Sequence, residues 1–346
     1  MAASVVAVDL ADLTTLRLGG PARTYVVVET EQQLIDAVRD ADAAGVASLL
    51  VAGGSNLVVA DAGFDGTVVQ IATRGITVDR DACSGAMVTV AAGEPWDDFV
   101  ARAVGEQWVG IEALSGIPGS VGATPIQNVG AYGQEVADSI ATVRVLDRLE
   151  GRIRTLAAAD CGFGYRHSRF KAEPDRYLVL TVTFQLRLGA LGAPVAYAEL
   201  ARTLGVEVGE RASLTAVRDA VLALRRGKGM VLDAADHDTW SAGSFFTNPL
   251  LTSEQADTLP AEAPRFAQAD GSIKTSAAWL IDRAGFGQGH GTGAARLSTK
   301  HVLALTNRGG ATTADLLALA REVRDGVEAA YGIVLINEPV LIGCAL

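Results

Sequence analysis

A short apolar run, Leu49-Leu50-Val51, empties into Gly53-Gly54-Ser55-Asn56 and resumes at Leu57-Val58-Val59. The first run has the length and composition of a buried strand. Paired glycines let successive backbone N–H groups turn inward and form a concavity suited to phosphate oxygens, with Ser55 and Asn56 adding further hydrogen bonds. Taken alone, the same pattern also describes a tight turn joining two strands of a hairpin. A second stretch, residues 115–136 (SGIPGSVGATPIQNVGAYGQEV), carries five glycines among small and amide residues and is too long for one turn. Two such loops suit the clasping of one extended ligand. Neither has the G-x-G-x-x-G-then-helix arrangement of a Rossmann dinucleotide site, because Gly53-Gly54 leads into Leu57-Val58-Val59 rather than into a helical pattern.

At 346 residues the chain has room for two or three domains with separate cores. Apolar residues are abundant, yet no uninterrupted run approaches the length that spans a bilayer. The opening MAASVVAVDLADL has no basic region and carries Asp9 and Asp12 where a secretory signal is apolar, so a cytoplasmic protein is expected. Cys83, Cys161 and Cys344 are widely separated, so neither a metal site nor a disulfide framework is expected, and all three read as buried, inert thiols. A net charge of −11 argues against nucleic acid or an anionic membrane as partner. An anionic small ligand would need local cations. Only four lysines occur, Lys171, Lys228, Lys274 and Lys300, and each lies in or beside a stretch that stands out below.

The pattern predicts a strand ending in the Gly-Gly-Pro turn of residues 14–22, a strand over 23–28, and a helix over 31–44 with Leu34, Ile35, Val38 and Ala41 on one face. With the Leu49 strand these make a small α/β unit. Further on, strands are expected over 75–78 and 86–91, a helix from Pro95 to Val104, a hairpin from 141–147 and 151–156, and a long strand over 177–188. A helix follows from Thr215 to about Arg226. Residues 225–240 read as a linker or mobile loop. The last region holds a helix over 275–284, a helix capped by Thr313 and stopped by Gly332, and short buried strands at 333–336 and 340–342.

Four stretches place polar groups where packing alone would not. Tyr165-Arg166-His167-Ser168-Arg169-Phe170-Lys171 is either a solvated basic face or an anion clamp in which the planar guanidinium of Arg166 meets a carboxylate. Ser244, in Ala242-Gly243-Ser244-Phe245-Phe246-Thr247-Asn248-Pro249, lacks the nucleophile-elbow surroundings of a hydrolase. Glu338 interrupts an apolar run at the chain end, where burial would demand pairing or protonation. His301, in Ser298-Thr299-Lys300-His301, precedes the apolar run 302–305 and reads as a strand-start histidine.

These motifs, in this order, resemble the UDP-N-acetylenolpyruvoylglucosamine reductase family of bacterial flavoenzymes, and the resemblance runs from Thr15 to Gly343. It implies an α+β fold of the vanillyl-alcohol-oxidase (PCMH) type, with FAD lobes at 1–72 and 73–227 and a substrate domain at 228–346. It implies FAD as cofactor, NADPH as co-substrate, no metal, and a monomer that reduces UDP-N-acetylglucosamine enolpyruvate to UDP-N-acetylmuramate.

For catalysis the resemblance points to Ser244 as proton donor, with Arg166 and Glu338 flanking the enolpyruvyl carboxylate. For FAD it points to Gly53, Gly54, Ser55, Asn56 and Leu57, and in the second loop to Ser115, Gly116, Pro118, Gly119, Gly122 and Ala123. The same loop adds Gln127, Asn128, Gly130, Tyr132 and Gly133. For substrate it points to Tyr165, Tyr197, Lys228, Asn248 and His301, with Tyr197 on a loop that closes over the diphosphate. An oxidase of another small substrate on the same fold, and a nucleotide-sugar binding module without redox chemistry, are the competing readings.

Overall fold

A computed structural model describes residues 8–81 and 85–346; Cys83 and the first seven residues lie outside the described residues. The chain divides into two compact units, and its path crosses between them several times. The first takes residues 24–53 and 65–227; the second takes 8–23, 54–64 and 228–346.

In the first unit a three-stranded sheet runs in the order Ala22–Val28, Phe64–Ile71, Ser48–Val51, and the last two strands are parallel. The helix Glu31–Ala43 follows from a capping box, in which Thr30 accepts from the Gln33 N–H while the Gln33 side chain reaches back. Its buried Leu34, Ile35 and Val38 pack with Val28 and Val69, and with Leu146, Leu178 and Leu180 of a second sheet. That sheet is antiparallel, in the order Arg152–Ala157, Ile140–Asp147, Tyr177–Leu188, Gly85–Ala91, Ile76–Asp81. The hairpin and the long strand predicted from alternation are both present. Helix Trp96–Gly105 covers the sheet through Trp96 and Phe99, whose rings meet Phe184 at centroid distances of 6.0 and 5.0 Å. Helices Ala198–Leu204 and Leu214–Gly227 pack on each other through Leu200, Ala201, Val217 and Val221.

In the second unit, Leu57–Val59 pairs in parallel with Val340–Ile342, the last strand of the chain. The simple hairpin reading of Gly53-Gly54-Ser55-Asn56 therefore fails, since the strands on either side join different sheets. Leu16, Leu18 and Val58 enter one core with Phe245, Phe246, Leu280, Ile281 and the inner face of the long helix Thr313–Tyr331. Gly332 ends that helix in the left-handed region at φ +66°.

Several local expectations are corrected. Residues 14–16 form a bend and turn after a 3-10 turn at Leu10–Leu13, and residues 17–18 are irregular, not a strand. The cap of the long helix is Thr312, whose side chain accepts from the Asp315 N–H, and Thr313 is already helical. Residues 333–336 are irregular, and Val340–Ile342 is an exposed-to-half-buried strand. Residues 228–240 are no plain linker: Asp238 is 4 % exposed and accepts from Thr299 N (2.8 Å), Thr299 Oγ1 (2.6 Å) and Arg308 Nη1 (2.7 Å).

Candidate active site

The glycines at the first loop stand where side chains do not fit. A Cβ on Gly53 would lie 2.6 Å from the Cα of Gly119, so the two glycine stretches meet backbone to backbone. Gly54 has φ +56°, and a Cβ there would stand 1.8 Å from the Leu13 carbonyl oxygen. Gly122 is held as closely against Ala92 and donates its N–H to the Ala92 carbonyl at 2.8 Å. Among the described residues, the N–H groups of Gly53 and Gly119 have no acceptor. Such a cradle of apposed backbone fits the diphosphate of FAD, which needs N–H donors and close approach.

Residues 115–136 fold as a chain of small turns: 3-10 at Val121–Ala123, helical at Thr124–Gln127, then a hairpin of Gly130–Ala131 with Gln134–Glu135. Asn128 and Tyr132 take φ of +43° and +50°, conformations that side chains rarely adopt. Asn128 compensates by donating to Glu135 Oε2 (2.8 Å) and to the Gly164 carbonyl (2.9 Å) while accepting the Ala137 N–H (3.2 Å). The Ser115–Gly116 corner is fixed from outside: Gly116 N–H donates to Asp97 Oδ1 at 2.6 Å, and Asp97 takes a two-pronged contact from Arg218 at 2.7 and 2.8 Å.

The basic stretch 165–171 is built onto this loop through Arg166, Ser168 and Lys171, while His167 is exposed. Arg166, at φ +49°, donates to the carbonyls of Asn128 (3.3 Å) and Gly130 (2.8 Å). Buried Ser168 donates to the Ile126 carbonyl at 2.8 Å, and Lys171 Nζ donates to Gln127 Oε1 at 2.9 Å and to the Arg166 carbonyl at 3.0 Å. Tyr165 stacks under the Arg166 guanidinium, with 5.6 Å from ring centroid to Cζ. Tyr197, 47 % exposed, sets its ring edge-on to Tyr132 at 5.6 Å. Desolvation pushes the Tyr132 hydroxyl up to about 12 and the Arg225 guanidinium down to about 10.

In the second unit, Ser244 is half-buried, and its Oγ has no hydrogen-bond partner among the described residues. The segment after it pairs with the chain end: Glu338 N–H donates to the Phe245 carbonyl at 2.8 Å, and Thr247 N–H donates to the Ile336 carbonyl at 3.0 Å. Val340 N–H donates to the Asn56 carbonyl at 2.9 Å, so the first glycine stretch reaches this same segment. Glu338 is half-buried rather than enclosed, and Ile336 beside it is 67 % exposed, which corrects the expectation of a carboxyl in an apolar interior. Asn248 Oδ1 accepts the Ala277 N–H at 3.0 Å, which uses its oxygen on the start of helix Ala277–Arg283 and fixes the direction of its amide. Lys228 and His301 are half-buried; His301 begins a turn, and the strand it was expected to start opens only at Leu305. Cys161 is buried and pushed up to about 11 by desolvation, whereas Cys344 is only half-buried.

Sequence reasoning missed Asp97, Arg218, Glu112 and Gln134. Glu112 carried a usable signal, one acid inside the apolar run 108–114, the same signal that singled out Glu338.

Residues 22–157 match the FAD binding domain family, and residues 235–342 match the C-terminal domain of UDP-N-acetylenolpyruvoylglucosamine reductase. The chain is 60% identical to the UDP-N-acetylenolpyruvoylglucosamine reductase of Cutibacterium acnes, over 98% of this chain and 90% of that protein. It is 59% identical to the enzyme of the same name from Streptomyces coelicolor, over 97% and 90%. The crystal structure of UDP-N-acetylenolpyruvylglucosamine reductase from Thermus caldophilus is similar at a TM-score of 0.66 and 25% identity, covering 98% of this chain and 99% of that one.

Proposed function

The chain belongs to the UDP-N-acetylenolpyruvoylglucosamine reductase family, and from that membership we propose how its own residues perform the reaction. The reaction is the NADPH-dependent reduction of UDP-N-acetylglucosamine enolpyruvate to UDP-N-acetylmuramate in peptidoglycan precursor synthesis. The chemistry that bound FAD would supply is hydride transfer from NADPH to the enolpyruvyl methylene carbon. Gly53, Gly54, Ser55, Asn56 and Leu57 would hold it, together with residues of the 115–133 loop.

Arg166 meets the substrate carboxylate, onto which negative charge from C2 delocalises as the enolate develops. A planar cation there stabilises the developing charge more than the starting enol ether, which is the condition for lowering the barrier. Ser244 Oγ delivers the proton to C2. Glu338 sits on the paired segment beside it and supplies a hydrogen bond or the replacement proton. Tyr165, Tyr197, Lys228, Asn248 and His301 bind the rest of the nucleotide sugar. The division into FAD lobes 1–72 and 73–227 and a substrate domain 228–346 belongs to the same reading.

The observation that supports this assignment most directly is the backbone pairing of residues 245–247 with 336–338, which gives the Ser244 and Glu338 segments a common register. We read the protein as a cytoplasmic monomer, and its net charge of −11 argues against nucleic acid as a partner. No helix of the described residues is long and apolar enough to cross a membrane. The test is a pair of half-reactions: NADPH should bleach the flavin of the purified protein, and the enolpyruvyl nucleotide should restore its colour anaerobically. Bleaching without restoration would favour an oxidase of another substrate.

A further inference from the structure

Glu112 is 1 % exposed and lies in the 3-10 turn Glu112–Leu114. A carboxylate there needs strong donors to offset lost hydration. Three neutral N–H groups supply them: Gly110 N donates to Oε2 at 2.7 Å, and Ala193 N and Gln134 Nε2 donate to Oε1 at 2.6 and 3.0 Å. Gln134 is fixed in turn, because its Oε1 accepts the Ala113 N–H at 2.8 Å. The arrangement joins three stretches distant in sequence: the turn at 110–113, the hairpin of the second glycine loop at Gln134, and the segment 192–197 that ends at Tyr197.

Close packing reinforces the join at both ends of that segment. A Cβ on Gly192 would lie 2.8 Å from Glu112 Oε1, and a Cβ on Gly133 would lie 2.8 Å from the Ala196 Cβ. Val195 is buried and donates its N–H to the Glu210 carbonyl at 2.8 Å. Gly192 and Val195 are the buried points of the segment, Pro194 and Ala196 are exposed, and Tyr197, itself exposed, sets its ring against Tyr132.

We infer that Glu112, with Gln134, is a positioning residue that anchors the base of segment 192–197 to the glycine-loop hairpin and thereby sets where Tyr197 stands for substrate. Its carboxylate holds the Ala193 amide and the Gln134 amide on one oxygen, so the seat of Tyr197 and the Gly130–Glu135 hairpin move as one piece. The inference rests on the reading that Tyr197 contacts substrate. The hydrogen-exchange arm of the test does not.

The experiment compares the holoenzyme with Glu112→Gln, which keeps the shape but must turn an NH₂ or a weaker acceptor toward one of the donors. Amide exchange over 192–197 should rise roughly tenfold, and KM for the enolpyruvyl nucleotide should rise by a similar factor, as expected when one charge-assisted bond is weakened. FAD content, the rate of flavin bleaching by NADPH and kcat should hold. Unchanged exchange would overturn the anchoring role. Faster exchange with an unchanged KM would overturn the link to substrate, and Tyr197→Ala assayed alongside shows whether the Tyr197 reading itself has failed. Loss of FAD with both half-reactions slowed equally would make Glu112 a general fold residue and overturn the inference. Should Glu112→Gln fail to fold, Gln134→Ala, at a half-buried position, carries the same test with smaller expected effects of about threefold.

Discussion

The backbone N–H of Glu338 donates to the carbonyl of Phe245 at 2.8 Å, immediately after Ser244. The rings of Phe245 and Phe246 are both buried and meet edge to face at 5.1 Å. The hydroxyl and the carboxyl are therefore carried on two backbone segments hydrogen-bonded to each other and pinned by the same aromatic packing. Side chains presented from such a base are held without needing long-range restraints of their own. A substitution at Ser244 or Glu338 should accordingly change chemistry while leaving the core that supports it intact.

Gly53→Ala tests the cradle. The added methyl would meet the Gly119 backbone at 2.6 Å, and backbone cannot step aside as a flexible side chain can. The expected result is an FAD affinity roughly tenfold weaker or worse, from an overpacking cost of about 1–3 kcal/mol. Thermal melts with and without added FAD check it, because a ligand that binds only the folded state must raise the melting temperature. A variant that purifies as yellow as the parent would remove Gly53 from the cofactor site.

Arg166→Lys keeps the charge and loses the planar fork that donates to the Asn128 and Gly130 carbonyls. Reoxidation of reduced flavin by the enolpyruvyl nucleotide should fall steeply while bleaching by NADPH stays near normal. Stopped-flow absorbance separates the two. Equal loss in both would mean that Arg166 supports the loop rather than the substrate.

The Asp97–Arg218 pair sets a pH signature. Arg218 and the Gly116 N–H hold the Asp97 carboxyl below its ordinary range, and they outweigh desolvation, the largest contributor, which pushes the other way. Its folded pKa is thus the lower one, so the stabilisation is complete above the unfolded value of about 4 and is lost as pH falls through the folded value. Asp97→Asn should cost about 1 kcal/mol at neutral pH, at the low end because the carboxylate is partly open to water. The difference from the parent should close in acid. Urea melts across that range check it, and a gap independent of pH would show that packing rather than charge is lost.

The sequence carries the elements well where period and caps agree. The apolar face of Leu34, Ile35, Val38 and Ala41 marks the first helix, alternation marks the strand Tyr177–Leu188, and Gly332 marks a helix stop. It misleads where composition outruns partners. Residues 333–336 are as apolar as a strand, yet they find no ladder and alternate between buried and exposed as irregular chain. The candidate site is legible in part for a physical reason. Glycines at 53, 54 and 133 and the run 165–171 are unusual residues in place, whereas Asp97 and Arg218 are ordinary charges 121 positions apart whose meaning comes only from meeting. The path of the chain between units was equally hidden, since nothing local announces that Leu57–Val59 will pair with Val340–Ile342.

Ser244 is where a catalytic and a merely structural reading separate most sharply. An alkyl hydroxyl is a weak acid, so it can protonate C2 only because the carbon of an enolate is strongly basic and because a neighbour can return the proton. Glu338, on the paired segment, is the candidate for that return. Ser244→Ala deletes one oxygen that no described residue uses as a hydrogen-bond partner, so folding, FAD content and reduction by NADPH should be spared. Turnover of the enolpyruvyl nucleotide should fall by about 10²–10⁴, the usual contribution of one positioned proton donor. Ser244→Cys should recover part of the loss, because a thiol at the same position can still donate. Single-turnover reoxidation decides the matter: an alanine variant as fast as the parent would make Ser244 a turn residue and hand the proton to Glu338 or to water.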